Sequence, residues 1–441
     1  MLTDWFDEWH RPITRSTFVA RERQAYWAQF GAFDETLAQL LTTKNATDVI
    51  PISIWMRESA LSRTAQTTII NGLVSAPYQF RYGERTPTLM ASMTKHDLVL
   101  LQWDQRIDRI YAIQAIQPSD AFGVAAPATP TIISALNTEY IPPLWHAGLQ
   151  GQGRKLGLLE VGRPRPMPGL TIVSQQPACT GLSIDDHATV VANVIASSSA
   201  YLGVAPDAGV IAGYAVVEED VESALTWMFD QGADAANISL SSEGSNQLGR
   251  SDRVVDYITR RDRRLIVVAT GNQGGFVGSP AKAWGALSVG GFEDMNSMTW
   301  NDDDMLEEFY PPPATNKISA WGNPIMGSMT WEKPEVSAVS VITTYTDVGV
   351  ASTWVGTSMA APQVTGLAGL LIQAMPTLVD WPEATKAIIM ASSVHNIADG
   401  IAIDPAAGDL HDGAGGLVGV LAREVALTHG ELGIFFPCSD S

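Results

Sequence analysis

Apolar runs of strand length alternate with helical stretches between residues 155 and 292, and this alternation limits the fold more than any other feature. Strands are predicted for KLGLLEVG, GVIAGYAVV, AANISLS, RLIVVATG and ALSVGGF, and helices for HATVVANVIASS, VESALTWMFDQG and RVVDYITRRDR. Strands separated by helices in this way pair in parallel through right-handed crossovers, with helices on both faces of the sheet. We therefore expect an α/β domain whose functional residues lie at the carboxyl ends of its strands.

The chain before this region divides into three further segments. Residues 1–46 are predicted to form a helical extension, because apolar residues recur there at helical spacing. Residues 47–118 alternate short strands with two helices, which predicts a small two-layer α+β domain. The stretch 119–134, SDAFGVAAPATPTIIS, is rich in Pro, Ala and Thr and is interpreted as a linker. Residues 135–441 are then the main domain.

Charge and hydropathy exclude two kinds of partner. The 441 residues carry a net charge of -20, whereas nucleic-acid binding requires clustered Lys and Arg. No run reaches the roughly 18 apolar residues of a membrane span. The first residues, MLTDWFDEWHRP, lack the basic patch and apolar stretch of a signal peptide. A cytoplasmic location and a non-standard export route both stay open.

Cysteines and acidic residues give weaker indications. Cys179 and Cys438 are too few for a disulfide framework and do not have the spacing of a zinc site. Two buried thiols are the favoured interpretation, and one disulfide bond is the alternative. The stretch NDDDMLEEF at 301–309 has the carboxylates that calcium prefers but no recognisable ligand spacing. We interpret it as a solvated acidic loop and predict no cofactor, with structural calcium as the alternative.

Four polar residues stand where the predicted strands end or the predicted helices begin. Glu160 ends the run KLGLLE, and Asn272 follows the run RLIVVATG. His187 is the first residue of HATVVANVIASS and precedes its apolar stripe. Ser358 lies at the start of the long apolar helix predicted for TSMAAPQVTGLAGLLIQA. Each residue alone has an ordinary structural explanation as a loop start, a turn or a helix cap. Their joint occurrence in one chain favours a common site.

The order acid, His, Asn, Ser resembles that of the subtilisin-like serine proteases. The segments GVAPDAGVIAGYAVV, DAANISLS and WEKPEVSAVS are also similar to that family, and the resemblance spans about Ile133 to Val425. It implies a three-layer α/β domain with a mostly parallel central sheet, and serine endopeptidase activity on peptides or proteins. Residues 47–118 are similar to the family's inhibitory propeptide. This implies a zymogen in which the chain's own N-terminal domain is an intramolecular inhibitor, and self-processing near 118–134.

The resemblance also implies a role for each residue of the site. Ser358 is the nucleophile, His187 the general base and Glu160 the acid that orients the imidazole. The Asn272 side chain and the Ser358 backbone N–H are the donors of the oxyanion hole. Substrate-binding positions are implied for Ser239, Leu240, Ser241, Ala269, Thr270 and Gly271.

Position 160 departs from the family, which has an aspartate there. The glutamate side chain is longer by one methylene, so we expect its carboxylate to reach His187 only if the strand end or the histidine's helix is displaced by about 1 Å. Asp185 and Asp186 are the alternative acids. The alternative function is that of a catalytically impaired, subtilase-like protein that binds peptides or acts in regulation.

Two other hydrolase classes fit the pattern less well. The related sedolisin group uses a Ser-Glu-Asp set with an aspartate in the oxyanion hole, which His187 and Asn272 disfavour. An esterase of a different fold would place its serine within Gly-x-Ser-x-Gly and its acid between serine and histidine. This chain has Gly-Thr-Ser-Met-Ala and the opposite order.

Overall fold

A computed structural model describes most of the chain. The described residues are 5–6, 12–13, 15–57, 61–118, 132–242, 248–272, 277–298, 300–303, 316–319, 330–347, 350–395, 397 and 412–431. They divide into two compact units. The first comprises the described residues within Met1–Gln114, Asn246–Arg250 and Ile318–Trp331, and the second comprises the rest. Most of the predicted linker, residues 119–131, and Cys438 lie outside the described residues.

The first unit is built on a four-stranded antiparallel sheet. Its strands are β1 (Trp5–Phe6), β2 (Pro12–Ile13), β3 (Val49–Met56), β4 (Arg81–Tyr82), β5 (Thr88–Thr94) and β6 (Ile107–Ala112). Its helices are α1 (Arg15–Phe30), α2 (Glu35–Thr42), α3 (Arg63–Asn71) and α4 (Lys95–Leu101). The sheet has the order β4-β5-β3-β6, and β1 and β2 pair separately. The strands and helices that were predicted within 47–118 are therefore present.

Side chains from the predicted N-terminal extension enter the core of this unit. Leu37 and Leu41 of α2 are buried in the same cluster as Ile52 and Ile54 of β3 and Leu98 of α4. The start of α2 is fixed by Asp34, whose carboxylate accepts hydrogen bonds from the N–H groups of residues 36 and 37. The described part of the extension thus packs together with the α+β domain that follows it.

The second unit contains a seven-stranded sheet. The further strands of the chain are β7 (Gln117–Pro118), β8 (Lys155–Glu160), β9 (Ile172–Gln175), β10 (Gly209–Tyr214), β11 (Ala235–Ile238), β12 (Leu240–Ser241), β13 (Leu265–Ala269), β14 (Leu287–Phe292), β15 (Asn316–Ser319), β16 (Thr330–Lys333), β17 (Val336–Val339), β18 (Val341–Asp347) and β19 (Val350–Val355). The sheet has the order β17-β14-β13-β11-β8-β10-β9, and every pair of neighbours is parallel.

Helices pack on both faces of this sheet. The further helices are α5 (Ile132–Thr138), α6 (Pro142–His146), α7 (Asp186–Ala196), α8 (Glu218–Asp230), α9 (Arg250–Asp262), α10 (Thr357–Ala374), α11 (Pro382–Ser392) and α12 (Gly419–Glu431). Leu156 of β8 lies against Gly369 of α10, whereas the next residue, Gly157, lies against Met228 of α8. Successive strand residues point to opposite faces, so α8 and α10 cover opposite sides. The predicted three-layer α/β fold is confirmed.

Shorter elements complete the second unit. An antiparallel hairpin of β18 and β19 leads directly into α10. β12 continues β11 after one residue and pairs antiparallel with β7. Within the described part of the chain, none of the helices combines the length and the hydropathy that crossing a membrane requires.

Candidate active site

Glu160 and His187 meet at the carboxyl end of the central strand β8. His187 Nδ1 lies 3.0 Å from Glu160 Oε2, and both side chains are buried. Glu160 is the last residue of β8, and His187 is the second residue of α7. The longer glutamate side chain therefore spans the distance to the imidazole at ordinary hydrogen-bond length.

A glycine allows the end of β8 to approach the start of α7. A side chain at Gly162 would overlap Asp185, whose Cβ lies 2.3 Å from the position of the missing Cβ. The Asp185 N–H donates to the carbonyl of Arg163, and the Asp185 carboxylate accepts from the N–H of Ala188 to cap α7. The run VGR that follows β8 thus fixes the helix that carries His187.

The two alternative acids have other partners. The Asp185 carboxylate accepts the hydrogen bond from the Ala188 N–H that caps α7. Asp186 is exposed and lies 3.8 Å from the Arg165 guanidinium. The carboxylate beside His187 Nδ1 is that of Glu160.

Ser358 is buried in the first turn of α10. The residue before that helix, Gly356, has φ of 139° and ψ of 166°. Glycine adopts this conformation, whereas residues with a side chain essentially do not. The Ser358 hydroxyl donates to the carbonyl of Ser239 at 3.2 Å. In return, the Ser239 hydroxyl donates to the Ser358 carbonyl at 3.1 Å. Two hydrogen bonds therefore join the end of β11 to the start of α10.

Asn272 is oriented by the residue that precedes Ser358. Its Oδ1 accepts from the Thr357 N–H at 2.8 Å and from the Thr357 hydroxyl at 3.0 Å. The same hydroxyl accepts from the Gly271 N–H at 3.1 Å. Because the amide is planar, these bonds fix its oxygen toward Thr357 and its nitrogen on the opposite side. The site thus has a defined amide N–H direction near the start of α10.

The predicted substrate-binding residues lie at the same edge of the sheet. Ser239 follows β11, and Ala269 ends β13. Thr270 and Gly271 continue from β13, and Gly271 has φ of 105°. Leu240 and Ser241 form β12, which is paired with Pro118 and Gln117 of β7. The strand that contains two of the predicted substrate-binding residues is therefore paired with a segment of the same chain.

Two residues beside the site were not predicted. Trp354 of β19 lies edge-on to the His187 ring, with centroids 6.1 Å apart and an interplanar angle of 65°. Thr357 orients Asn272, as described above. Both are close to Ser358 in sequence, but neither belongs to a periodic pattern that would indicate its contacts.

The remaining sequence candidates lie elsewhere. Cys179 is a free and buried thiol, and burial raises its pKa to about 11, which keeps it unreactive at neutral pH. Of the acidic stretch 301–309, residues 304–309 lie outside the described residues. No group of three or more His, Cys, Asp or Glu side chains in the described ranges is arranged to hold a metal ion.

Comparisons with known proteins indicate the family of this chain. The family model of the subtilase family, peptidase S8, matches residues 174–415. That range contains His187, Asn272 and Ser358 and begins after Glu160. The chain is 28% identical to an alkaline protease of Alkalihalobacillus alcalophilus over 310 residues, which cover 67% of this chain and 71% of that protein. It is 30% identical to subtilisin Savinase of Lederbergia lenta over 252 residues, which cover 54% of this chain and 82% of that protein.

A solved structure supports the fold. Fervidolysin from Fervidobacterium pennivorans, a keratinolytic enzyme related to subtilisin, superposes with a TM-score of 0.59 at 17% identity. The superposition covers 90% of this chain and 63% of fervidolysin, so the chain spans less than two thirds of that protein. The family match extends over more than half of the 441 residues. This chain therefore belongs to the subtilase family and is a serine-type endopeptidase.

Proposed function

We propose that the protein hydrolyses peptide bonds with Ser358 as nucleophile, His187 as general base and Glu160 as the orienting acid. The observation that carries this proposal is the 3.0 Å contact between His187 Nδ1 and the buried Glu160 carboxylate. A carboxylate only accepts, so Nδ1 carries the proton and Nε2 is left as the basic nitrogen. Glu160 also stabilises the imidazolium that forms when His187 takes the serine proton.

The roles proposed for these groups imply the following reaction. The Ser358 hydroxyl, now donating to Ser239, transfers its proton to His187 Nε2 as its oxygen attacks the substrate carbonyl. The oxyanion is stabilised by the Ser358 N–H at the start of α10 and by the Asn272 amide. His187 returns the proton to the leaving amine, and water repeats the sequence to release the acyl group. In this scheme, His187 transfers each proton, and side-chain and backbone groups stabilise each charge. We therefore propose a reaction without a cofactor.

We further propose that the protein is made as a zymogen that processes itself. Gln117 and Pro118 pair antiparallel with Ser241 and Leu240, at the edge where an extended substrate would add a strand. The Ile116 N–H also donates to the Val216 carbonyl at 3.1 Å. This segment blocks the edge, which supports the role of the N-terminal domain as an intramolecular inhibitor.

The strand register supports cleavage shortly after Pro118. Pro118 is opposite Leu240, and the carbonyl of the neighbouring Ser239 accepts from the Ser358 hydroxyl. The described part of this segment thus reaches the residue next to the one that contacts the nucleophile. We propose that the bond that is cleaved lies within 118–134.

Intact-mass measurement of the purified full chain tests this function. Wild-type protein should be cut within 118–134, whereas Ser358→Ala should stay uncut. Cleavage of Ser358→Ala in the same range in the absence of any other protease would contradict the assignment of Ser358. Cleavage of the wild type only outside 118–134 would contradict the proposed self-processing.

A further inference from the structure

The nucleophile's own carbonyl lacks its usual helical partner. In an α-helix the carbonyl of residue i accepts from the N–H of residue i+4. For Ser358 that position is Pro362, which has no N–H. The Ser239 hydroxyl donates to this carbonyl instead, at 3.1 Å. A side-chain hydrogen bond from the residue after β11 therefore replaces a backbone bond in the turn that carries Ser358.

The direction of that hydrogen bond is set by Asn237. The Asn237 amide nitrogen donates to the Ser239 hydroxyl oxygen at 2.9 Å. A hydroxyl has one proton, and the Ser239 oxygen already accepts from Asn237, so its proton is directed to the Ser358 carbonyl. Asn237 is fully buried in β11 two residues before Ser239, and residues at this spacing share one face of a strand.

The orientation of Asn237 is set in turn by Thr365. The Thr365 hydroxyl donates to Asn237 Oδ1 at 3.2 Å and also lies 3.2 Å from the Ala361 carbonyl. Thr365 follows Ser358 by seven residues, or two helical turns, so both face β11 from the same side of α10. Without this hydroxyl the Asn237 amide is free to turn over. Its oxygen would then accept the Ser239 proton and remove it from the Ser358 carbonyl.

We propose that Asn237 and Thr365 are positioning residues for the nucleophile, acting through Ser239 to hold the first turn of α10. The proposal rests on the assignment of Ser358 as nucleophile. The side chains of Asn237 and Thr365 are buried, so they do not reach an extended substrate directly. Their loss should therefore slow the chemical step and leave substrate affinity nearly unchanged, since a misplaced nucleophile costs rate rather than binding.

The test compares two threonines with the same local chemistry. Thr385 of α11 is also buried, and its hydroxyl donates to the carbonyl four residues earlier, that of Trp381. Its other contact is the Leu378 carbonyl. Thr365→Val and Thr385→Val therefore remove the same group from similar settings, and only the first touches Asn237. Thr365→Ser keeps the hydroxyl and is the rescue variant.

The measurement is the reaction of the full chain with a fluorophosphonate, resolved into the inactivation rate constant and the inhibitor affinity. We expect Thr365→Val to lower the rate constant about tenfold with the affinity unchanged, and Thr365→Ser and Thr385→Val to match the wild type. In a Ser239→Ala background, Thr365→Val should have no further effect. A wild-type rate constant in Thr365→Val, or an undiminished tenfold loss in the Ser239→Ala background, would overturn the proposal.

Two controls keep the result interpretable. If Thr365→Val does not fold, Asn237→Ala serves in its place, because it also removes the donor that directs the Ser239 proton. A wild-type rate constant in folded Asn237→Ala would overturn the proposal equally. If wild-type protein is labelled at a residue other than Ser358, the proposed function fails, and this outcome is distinct from a failure of the positioning role.

Discussion

The buried side chains of Glu160 and His187 are joined by a hydrogen bond of 3.0 Å. At the residue scale, the proposed site depends on such contacts between side chains that are distant in sequence. The end of β8 is bound to the start of α7 by the close approach of Gly162 to Asp185. The distance between Glu160 and His187 is thus determined by the backbone, and the length of the acid has to match it.

Shortening or neutralising the acid should reduce turnover in different ways. Glu160→Asp withdraws the carboxylate by about 1.5 Å, the length of one carbon–carbon bond, and we expect kcat to fall about tenfold or more. Glu160→Gln keeps the length but removes the charge that stabilises the imidazolium, and kcat should fall about 10²–10⁴-fold. Steady-state kinetics on a peptide substrate measures both. Equal kcat in all three proteins would remove Glu160 from the mechanism.

Asn272 combines two functions that substitutions can separate. Its oxygen holds Thr357, and its nitrogen is the proposed oxyanion donor. Asn272→Asp keeps the acceptor and loses the donor, so kcat should fall at least about 10²-fold while the thermal midpoint changes little. Asn272→Ala loses both functions and should lower kcat and also the thermal midpoint. A folded Asn272→Asp protein with wild-type kcat would exclude the donor role.

The residues of the site were predictable from sequence to different degrees. Glu160, His187, Asn272 and Ser358 each stand at the boundary of an apolar run, and this position together with their order indicated them. Asn237 and Thr365 were not predicted, because they lie inside apolar elements and contact each other over 128 positions of sequence. A buried polar residue within a strand gives no periodic signal that identifies its partner.

At the element scale, alternation of strands and helices predicted β8, β10, β11, β13 and β14 and the helices between them. The strands among these elements are largely apolar, as expected for a parallel sheet covered on both faces. The strands β9 and β17 and the hairpin of β18 and β19 were not predicted. The hairpin is rich in threonine rather than continuously apolar.

Helix α9 provides a prediction on pH-dependent stability. Burial raises the pKa of Asp256 from 3.8 to about 6, and the nearby Asp252 adds to this effect. The folded state therefore binds more protons than the unfolded state between about pH 4 and pH 6, so the contribution of Asp256 to the free energy of unfolding falls as the pH rises through this window. A rise in the pKa to about 6 lowers the free energy of unfolding by about 3 kcal/mol at neutral pH.

Asp256→Asn should remove this destabilising effect of the buried carboxyl group at neutral pH. The amide oxygen keeps the acceptor for the Gly285 N–H, which now lies 2.7 Å from Oδ1. In a Ser358→Ala background, which prevents self-digestion, we expect Asp256→Asn to raise the free energy of unfolding by about 1–3 kcal/mol at pH 7. The gain should vanish near pH 4. Denaturant titrations at several pH values provide the measurement, and a gain that is constant from pH 4 to pH 7 would contradict it.

At the scale of the whole molecule, the chain combines an α+β unit with a subtilase unit whose first strand, β7, pairs with β12. Composition and alternation predicted the α/β class, and the resemblance predicted the family. The pairing of β7 was not predictable, because two-residue strands leave no sequence pattern and the register depends on the folded sheet. This pairing is the described contact that supports the proposed inhibition.

The central claim is that Ser358 is a nucleophile activated by His187 and Glu160. Mass spectrometry of the full chain after reaction with a fluorophosphonate tests it most directly. The account predicts one adduct, mapped to Ser358 in the wild type, absent in Ser358→Ala and formed far more slowly in Glu160→Gln. Folded wild-type protein that forms no adduct at Ser358 would contradict the account and would favour a protein that binds peptides without cleaving them.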